Sequence, residues 1–221
     1  MKLFLDTANS DEIRKAFSIG VLDGVTTNPS LAAKERKDFN MIVSEILEIF
    51  SGTNGYVNLE VVSVNSDGMV EEGKRLAKLS KNVVVKVPCT EEGLKACKTL
   101  SEKKIRVNVT LCFSASQALL AAKAGAFFIS PFIGRLDDEN DGGMRLVAEI
   151  KNIYSNYNFK TQILVASIRS PRQVVEAAMI GADICTVPYS VFEKLYKHSL
   201  TDAGLKKFLD DWHSYQENLK K

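Results

Sequence analysis

Short apolar runs alternate with longer stretches of helical period along this chain. The apolar runs fall at 3–6, 24–27, 56–61, 83–87, 106–111, 126–130, 162–166 and 183–187, and each reads as a strand. Eight strands separated by helical segments are what a (β/α)8 TIM barrel requires. An open doubly wound sheet is the alternative, but no G-x-G-x-x-G follows any of these strands.

Helix ends support the alternation. Ser114 with Gln117 forms a capping box ahead of the run from Ala118 to Ala122, and Gly125 is the stop. Ser170 and Pro171 supply a cap and a first-turn proline before Val174, Val175, Ala178 and Met179, and Gly181 closes that helix. Both units then run from glycine into a strand that exits at a proline, Pro131 or Pro188, and the segment from Ile19 to Pro29 is a looser copy. Weak repetition on that plan suits a barrel of equivalent βα units. No linker or low-complexity segment interrupts it, so the expectation is a single domain over 1–221.

The tail breaks the pattern. Leu205, Phe208, Leu209, Trp212 and Tyr215 recur at helical spacing, predicting an extra C-terminal helix over about 201–220 with an apolar stripe. That stripe either packs on its own barrel or docks on a neighbouring subunit, as large aromatics on a terminal helix suit an interface.

Composition narrows the functional classes. A chain of 221 residues can bury a large core, and barrels of about 200 to 250 residues often form one domain. The net charge of +2 and the lack of any Lys/Arg block argue against a nucleic-acid surface, while a small anionic substrate needs only a few placed cations. Asp6 arrives too early for a signal-peptide apolar region, and no apolar run approaches the ~18 residues of a membrane span. A cytoplasmic protein with no membrane partner is expected. Cys89, Cys97, Cys112 and Cys185 form no C-x-x-C pair and read as free thiols, mostly buried. With His198 and His213 as the only histidines, most routes to a zinc site or a Ser-His-Asp triad close.

In a barrel, reactive groups gather where strands end and βα loops begin. Asp6 ends the first strand, Thr26, Thr27 and Asn28 the second, Glu60 the third and Lys86 the fourth. Asn108 and Thr110 lie on the fifth, Ser130 ends the sixth, and Ser167 follows the seventh. Each alone could be a cap or a satisfied core polar group; their convergence on one rim points to chemistry.

Lys86 is the most informative, because an ammonium in the apolar strand Val83-Val84-Val85-Lys86-Val87-Pro88 is expensive to bury. It is either one half of a buried ion pair with Asp6 or Glu60, or a desolvated amine poised to attack a carbonyl. Schiff-base chemistry also needs proton transfers, for which Asp6 and Glu60 are placed, and Thr110 could help hold a water. Arg135 and Arg169, the latter beside Ser167 and just ahead of the Pro171 helix, are candidate anion ligands.

Two motifs fail on inspection. The acidic stretch Asp137-Asp138-Glu139-Asn140-Asp141-Gly142 imitates half an EF-hand, but its twelfth position is Ala148, so a solvated loop is expected. Asn108-Val109-Thr110 is formally a glycosylation sequon inside a strand expected to be buried.

These residues sit in phrases that resemble the small-transaldolase family, which includes the closely similar fructose-6-phosphate aldolases. The phrases are Phe4-Leu5-Asp6-Thr7-Ala8, Gly24-Val25-Thr26-Thr27-Asn28-Pro29-Ser30, Val84-Val85-Lys86-Val87-Pro88, Ser130-Pro131-Phe132-Ile133-Gly134-Arg135, Ala166-Ser167-Ile168-Arg169 and Pro171-Arg172-Gln173. The resemblance runs from about Met1 to the Trp212 region. It implies a (β/α)8 barrel, a Schiff base on Lys86, and neither a metal nor an organic cofactor. It further implies that Asp6 acts in carbon–carbon cleavage while Glu60 and Thr110 position the catalytic water. Thr26, Asn28, Asn108, Ser130 and Phe132 would line the substrate, and Arg135, Ser167 and Arg169 would hold its phosphate. The resemblance also implies a homo-oligomer, a decamer of two five-membered rings in which the terminal helix reaches a neighbour.

Within the family, aldolase-type members carry glutamine where this chain has Glu60 and tyrosine where it has Phe132, and they lack the asparagine at Asn108. All three positions favour the transaldolase subgroup. The expected reaction moves a dihydroxyacetone unit from sedoheptulose 7-phosphate to glyceraldehyde 3-phosphate. The alternatives are a fructose-6-phosphate aldolase, or a barrel that only binds a sugar phosphate and uses Lys86 as an ion-pair partner.

Overall fold

A computed structural model describes residues 1–219, so position 220 of the expected terminal helix lies outside the described residues. The chain begins with β1 (Lys2–Asp6), α1 (Ser10–Ser18), β2 (Gly24–Thr26), α2 (Pro29–Lys34), α3 (Phe39–Ile49), β3 (Tyr56–Glu60) and α4 (Ser66–Ala77). It continues through β4 (Val83–Pro88), α5 (Glu91–Glu102), β5 (Val107–Cys112), α6 (Ala115–Lys123), β6 (Phe128–Pro131) and α7 (Ile133–Asp138). The last part holds α8 (Gly143–Asn156), β7 (Gln162–Val165), α9 (Pro171–Ile180), β8 (Ile184–Val187), α10 (Tyr189–Leu195) and α11 (Ser199–Asn218). The eight strands close in chain order, β8 pairing back onto β1, and every pairing is parallel. This is the TIM barrel expected from the sequence, and each strand starts and ends within two residues of its expected place.

The two helices with the clearest caps are built alike. Ser114 Oγ accepts from Gln117 N at 3.3 Å, while Gln117 Oε1 reaches back to accept from Phe113 N at 2.8 Å. Ser170 Oγ accepts from Gln173 N at 3.4 Å, and Gln173 Oε1 accepts from Arg169 N at 2.7 Å. In both, the glutamine bonds one residue further back than an ideal capping box, and so ties the βα loop to its helix.

Two cores follow from the period-two alternation of buried strands. Outward residues such as Val25, Val57, Val85, Val109 and Ile163 pack against the helices. Inward residues Phe4, Val84, Phe128, Leu164 and Ile184 form a separate cluster inside the barrel, with Tyr56 packed against it. Phe128 sits edge-on to Phe4 at 6.1 Å and to Tyr56 at 5.4 Å between ring centroids. Below them Lys2 and Arg106 lie 5.0 and 5.3 Å from the Tyr56 ring centre, closing the N-terminal end with cation–π contacts. Gly24 is what admits Phe4: a Cβ there would fall 2.9 Å from the Phe4 ring and 2.5 Å from the Tyr56 carbonyl. The barrel therefore has a filled apolar floor, and polar inward residues begin one layer above it.

The terminal helix decides against one of the two readings of its stripe. No residue of α11 is buried, and Leu205, Phe208, Leu209, Trp212 and Tyr215 are all more than half exposed. The stripe does not pack on its own barrel. The four cysteines are free thiols, three buried and Cys89 partly so. Burial pushes the Cys89 and Cys97 thiols up to about 11 and those of Cys112 and Cys185 up to about 12, which favours the protonated thiol at neutral pH. Among the described residues, no helix is long and apolar enough to cross a membrane.

Candidate active site

Two residues beyond the floor positions Phe4, Tyr56, Val84, Phe128 and Ile184 the inward face turns polar, with Asp6, Asn58, Lys86, Ser130 and Thr186, while β7 keeps Ala166 there. Thr26 and Asn108 join this layer from β2 and β5, across from Asp6 and Lys86 in the strand register. Lys86 is 3% exposed, and its Nζ lies 3.0 Å from Glu60 Oε2 on the neighbouring strand and 3.1 Å from the carbonyl oxygen of Thr27. The register explains the pairing, because Glu60 and Lys86 stand directly opposite across β3 and β4. The ion pair expected for a structural lysine is thus present. It uses only one of the two carboxylates.

Asp6 belongs to a different cluster. Its Oδ1 accepts from Thr26 Oγ1 at 2.6 Å, within the range of a charge-assisted bond, and Thr26 Oγ1 also meets Thr186 Oγ1 at 2.7 Å. Burial raises the Asp6 carboxyl above its usual range, opposed first by the Thr26 bond and then by the positive charges of Lys86 and Lys34. Desolvation wins, and Asp6 holds its proton more readily than a solvated aspartate.

A chain of amides joins the opposite wall. Asn58 Nδ2 donates to the Val25 carbonyl at 3.0 Å, Asn108 Nδ2 donates to Asn58 Oδ1 at 3.0 Å, and Ser130 Oγ donates to Asn108 Oδ1 at 2.8 Å. Thr110 stands apart. Its Oγ1 is the buried side-chain polar atom with no hydrogen-bond partner among the described residues. An unpaired buried hydroxyl costs about 1–3 kcal/mol, so it is the group in the barrel with bonding capacity to spare. Directly after it the β5–β6 register shifts between Val109 and Cys112, and Leu111 adopts φ +57°. Such a bulge beside a site re-aims the side chains around it.

Above the polar layer opens a cavity of about 180 Å³ lined by Asp6, Thr26, Asn28, Lys86, Ser130, Phe132, Arg135, Ala166, Ser167 and Thr186. Asn28 caps α2, its Oδ1 accepting from Leu31 N at 2.9 Å, and still faces the cavity. Phe132 packs edge-on against Phe113 at 6.0 Å, and the Arg135 guanidinium lies 5.4 Å from its ring centre. Ser167 holds φ +61°, an uncommon conformation for a residue with a side chain and one that gathers at functional sites. A Cβ on Gly134 would collide with the Ser167 carbonyl and fall 2.8 Å from both Ser167 Oγ and Arg169 Nε. Glycine at 134 is what lets this rim close up into a cradle.

Most of the residues singled out in the sequence meet here. Asp6, Thr26, Asn28, Lys86, Ser130, Phe132, Arg135 and Ser167 line one cavity, with Asn108 and Thr110 buried beside it in the barrel. Glu60 reaches Lys86 from a neighbouring groove of about 620 Å³ that shares Asn28 with the cavity. Arg169 departs from expectation. Its guanidinium is held by both carboxylate oxygens of Asp138 on the outer rim and does not line the cavity. Asn58 and Thr186 escaped the sequence reading; Asn58 sits two residues before Glu60 on β3, and strand parity was the signal that would have found it, whereas no site position was recognised on β8. No group of three or more His, Cys, Asp or Glu among the described residues could hold a metal ion.

Comparison with known proteins identifies the chain's relatives. A family model described as transaldolase/fructose-6-phosphate aldolase matches residues 3–219. A probable transaldolase of Aquifex aeolicus (strain VF5) is 57% identical over 217 residues, covering 98% of this chain and 99% of the relative. Probable transaldolases of Anaeromyxobacter dehalogenans (strain 2CP-C) and Caldicellulosiruptor saccharolyticus are each 56% identical, over 100% and 96% of this chain and 100% and 97% of their own.

The raised Asp6 carboxyl sets a stability test. A carboxyl raised on folding supports the fold while protonated, and that support is lost as pH rises from the ordinary carboxylate range through the folded value. Asp6→Asn removes the cost of ionising the buried group. The variant should melt above wild type at pH 8, and the gain should vanish as pH falls below the ordinary carboxylate range. Calorimetric melting curves at several pH values check this; a gain of equal size at low pH would refute it.

Proposed function

Because the chain belongs to the transaldolase/fructose-6-phosphate aldolase family, we propose that it is a transaldolase working through a Schiff base on Lys86. The reaction moves a dihydroxyacetone unit from sedoheptulose 7-phosphate to glyceraldehyde 3-phosphate, giving erythrose 4-phosphate and fructose 6-phosphate. Its place would be the non-oxidative pentose phosphate pathway of the cytoplasm. One observation carries the reading: a buried lysine paired with one carboxylate while a second, raised carboxylate faces the same cavity.

Glu60, at 3.0 Å, takes a proton from the Lys86 ammonium, and the freed amine adds to the C2 carbonyl of the donor. Loss of water from the carbinolamine leaves an iminium. Asp6 then accepts the C4 hydroxyl proton as the C3–C4 bond breaks, and the bond's electrons pass to the iminium as an enamine. Erythrose 4-phosphate leaves. C3 of the enamine attacks the aldehyde of the acceptor, Asp6 returns its proton to the new hydroxyl, and water releases fructose 6-phosphate from Lys86. A carboxyl raised above its ordinary range suits a group that must both take and return a proton near neutral pH.

The surrounding groups fit this sequence of steps. Thr110 Oγ1 has the spare bonding capacity to hold the attacking water with Glu60. Asn28 and the Asn108–Ser130 pair present polar groups to the donor's hydroxyls. Arg135 and Ser167 form the phosphate cradle, with Arg169 joining them on leaving Asp138. The exposed aromatic stripe of α11 supports a homo-oligomer, read as a decamer of two pentameric rings, in which each terminal helix covers a neighbour.

Borohydride reduction in the presence of fructose 6-phosphate should leave a stable adduct on Lys86, read by peptide mass spectrometry, and Lys86→Ala should fold yet turn nothing over. Folded protein that binds the sugar phosphate without forming an adduct would return Lys86 to a structural role. A second outcome concerns partitioning of the enamine. Glu60→Gln combined with Phe132→Tyr should raise the release of free dihydroxyacetone in the absence of an acceptor, measured by a coupled assay. An unchanged ratio would move that control to other residues. For the assembly, Phe208→Glu with Trp212→Glu should shrink the particle in sedimentation velocity without unfolding it. The same sedimentation coefficient as wild type would remove α11 from the interface.

A further inference from the structure

Thr186 enters the cavity from β8, is buried, and has no part in the chemistry just described. Its Oγ1 lies 2.7 Å from Thr26 Oγ1, whose own bond to Asp6 Oδ1 is 2.6 Å. The direction of these bonds can be assigned by counting protons. A hydroxyl has one proton to give and two lone pairs to accept with. While Asp6 is ionised it can only accept, so the single Thr26 proton is committed to it. The contact between the threonines must then carry the Thr186 proton, donated to Thr26. Accepting that bond polarises the Thr26 hydroxyl and strengthens its own donation to the carboxylate.

We propose that Thr186 is a positioning residue for Asp6: its hydroxyl orients Thr26 and holds the Asp6 carboxylate in its ionised, proton-accepting state. The strand register supports the arrangement. Asp6 pairs with Thr26 across β1 and β2, and Thr186 pairs with Phe4 across β8 and β1, so the three side chains share the inward face at one end of the barrel. When Asp6 holds a proton the chain reverses: Asp6 donates to Thr26, Thr26 donates to Thr186, and the Thr186 proton turns toward the cavity that it lines. The two proton states of Asp6 therefore present different hydrogen-bonding faces to whatever occupies the cavity.

The charged groups around this chain are Lys86 on β4 with its partner Glu60 on β3, Lys34 at the end of α2, and Arg135 on the rim. On α1, Glu12 accepts from Thr7 Oγ1 beside Asp6, and after β8 the nearest titratable groups are Tyr189 and Glu193 on α10. None of these bonds to Thr26 or Thr186. A change confined to Thr186 therefore acts on Asp6 through Thr26.

The test compares Thr186→Val, which keeps the shape and removes the hydroxyl, with Thr186→Ser, which restores it. The protonated-carboxyl stretch of Asp6 is followed by infrared difference spectroscopy on ligand-free protein across pH, assigned by its loss in Asp6→Asn. Thr186→Val should titrate Asp6 at higher pH than wild type, and Thr186→Ser should return it. The kinetic part of the inference rests on the transaldolase reading. There, the acid limb of the kcat/KM profile should move the same way, with transfer reduced about two- to tenfold below that limb, the range a single hydrogen bond spans. An Asp6 titration unchanged in Thr186→Val, or a serine variant that behaves like valine, would overturn the proposal. Wild-type protein that transfers nothing would overturn the transaldolase reading instead, and the infrared titration would still decide the role of Thr186.

Discussion

A lysine ammonium enclosed by a barrel dictates much of what surrounds it. The effective penalty for removing such a charge from water is several kcal/mol, and leaving it without its partner destabilises by about 3–5 kcal/mol. Glu60, directly across the β3–β4 ladder, and the Thr27 carbonyl meet that demand. They do so because the parallel register brings the ends of β2, β3 and β4 to one level. An ion pair at this depth is weak as a source of stability, since a well-packed apolar pair of similar volume is often as good or better. On the proposed Schiff-base reading the pair has a further use: a proton can pass within it without any charge reaching solvent.

The second carboxylate is kept separate. Asp6 bonds to a hydroxyl chain and is raised by burial, while Glu60 is tied to the lysine. Two carboxyl groups in unlike environments can divide acid–base work that two alike could not. Around them the polar groups form two networks, Thr186–Thr26–Asp6 on one wall and Asn58–Asn108–Ser130 on the other. A satisfied buried network rigidifies, and rigidity is what a site needs to hold reacting atoms in place.

Much of this was legible in the sequence, and the gaps have physical reasons. Strand positions followed from apolar runs because both faces of a parallel strand are covered. Lys86, Asp6 and Glu60 stood out because a charge within such a run is costly enough to need a purpose. Asn58 and Thr186 did not, because uncharged polar residues inside a strand are ordinary when their bonds are satisfied, and satisfaction depends on partners far along the chain. Thr186 lies 160 residues from the threonine that it bonds. The side chain of Arg169 was also beyond reach of pattern, since its engagement with Asp138 depends on how two βα loops pack. The stripe of α11 was visible as a period; that it projects from its own barrel required knowing that the other helices already cover the sheet.

The deepest link between fold and site is the spacing of two residues. Phe4 and Asp6, Val84 and Lys86, Phe128 and Ser130, and Ile184 and Thr186 are successive inward positions of the same strands. In each pair the first residue fills the apolar floor and the second lines the cavity. A one-residue slip in any strand would drive its floor residue outward and carry its polar partner into the helix layer, so the aromatic packing of Phe4, Tyr56 and Phe128 also fixes the register of the polar layer. Gly24 belongs to the same argument, because a side chain there would displace Phe4 and with it the strand that ends in Asp6. The floor adds no polar group to the cavity, yet it aims those that line it.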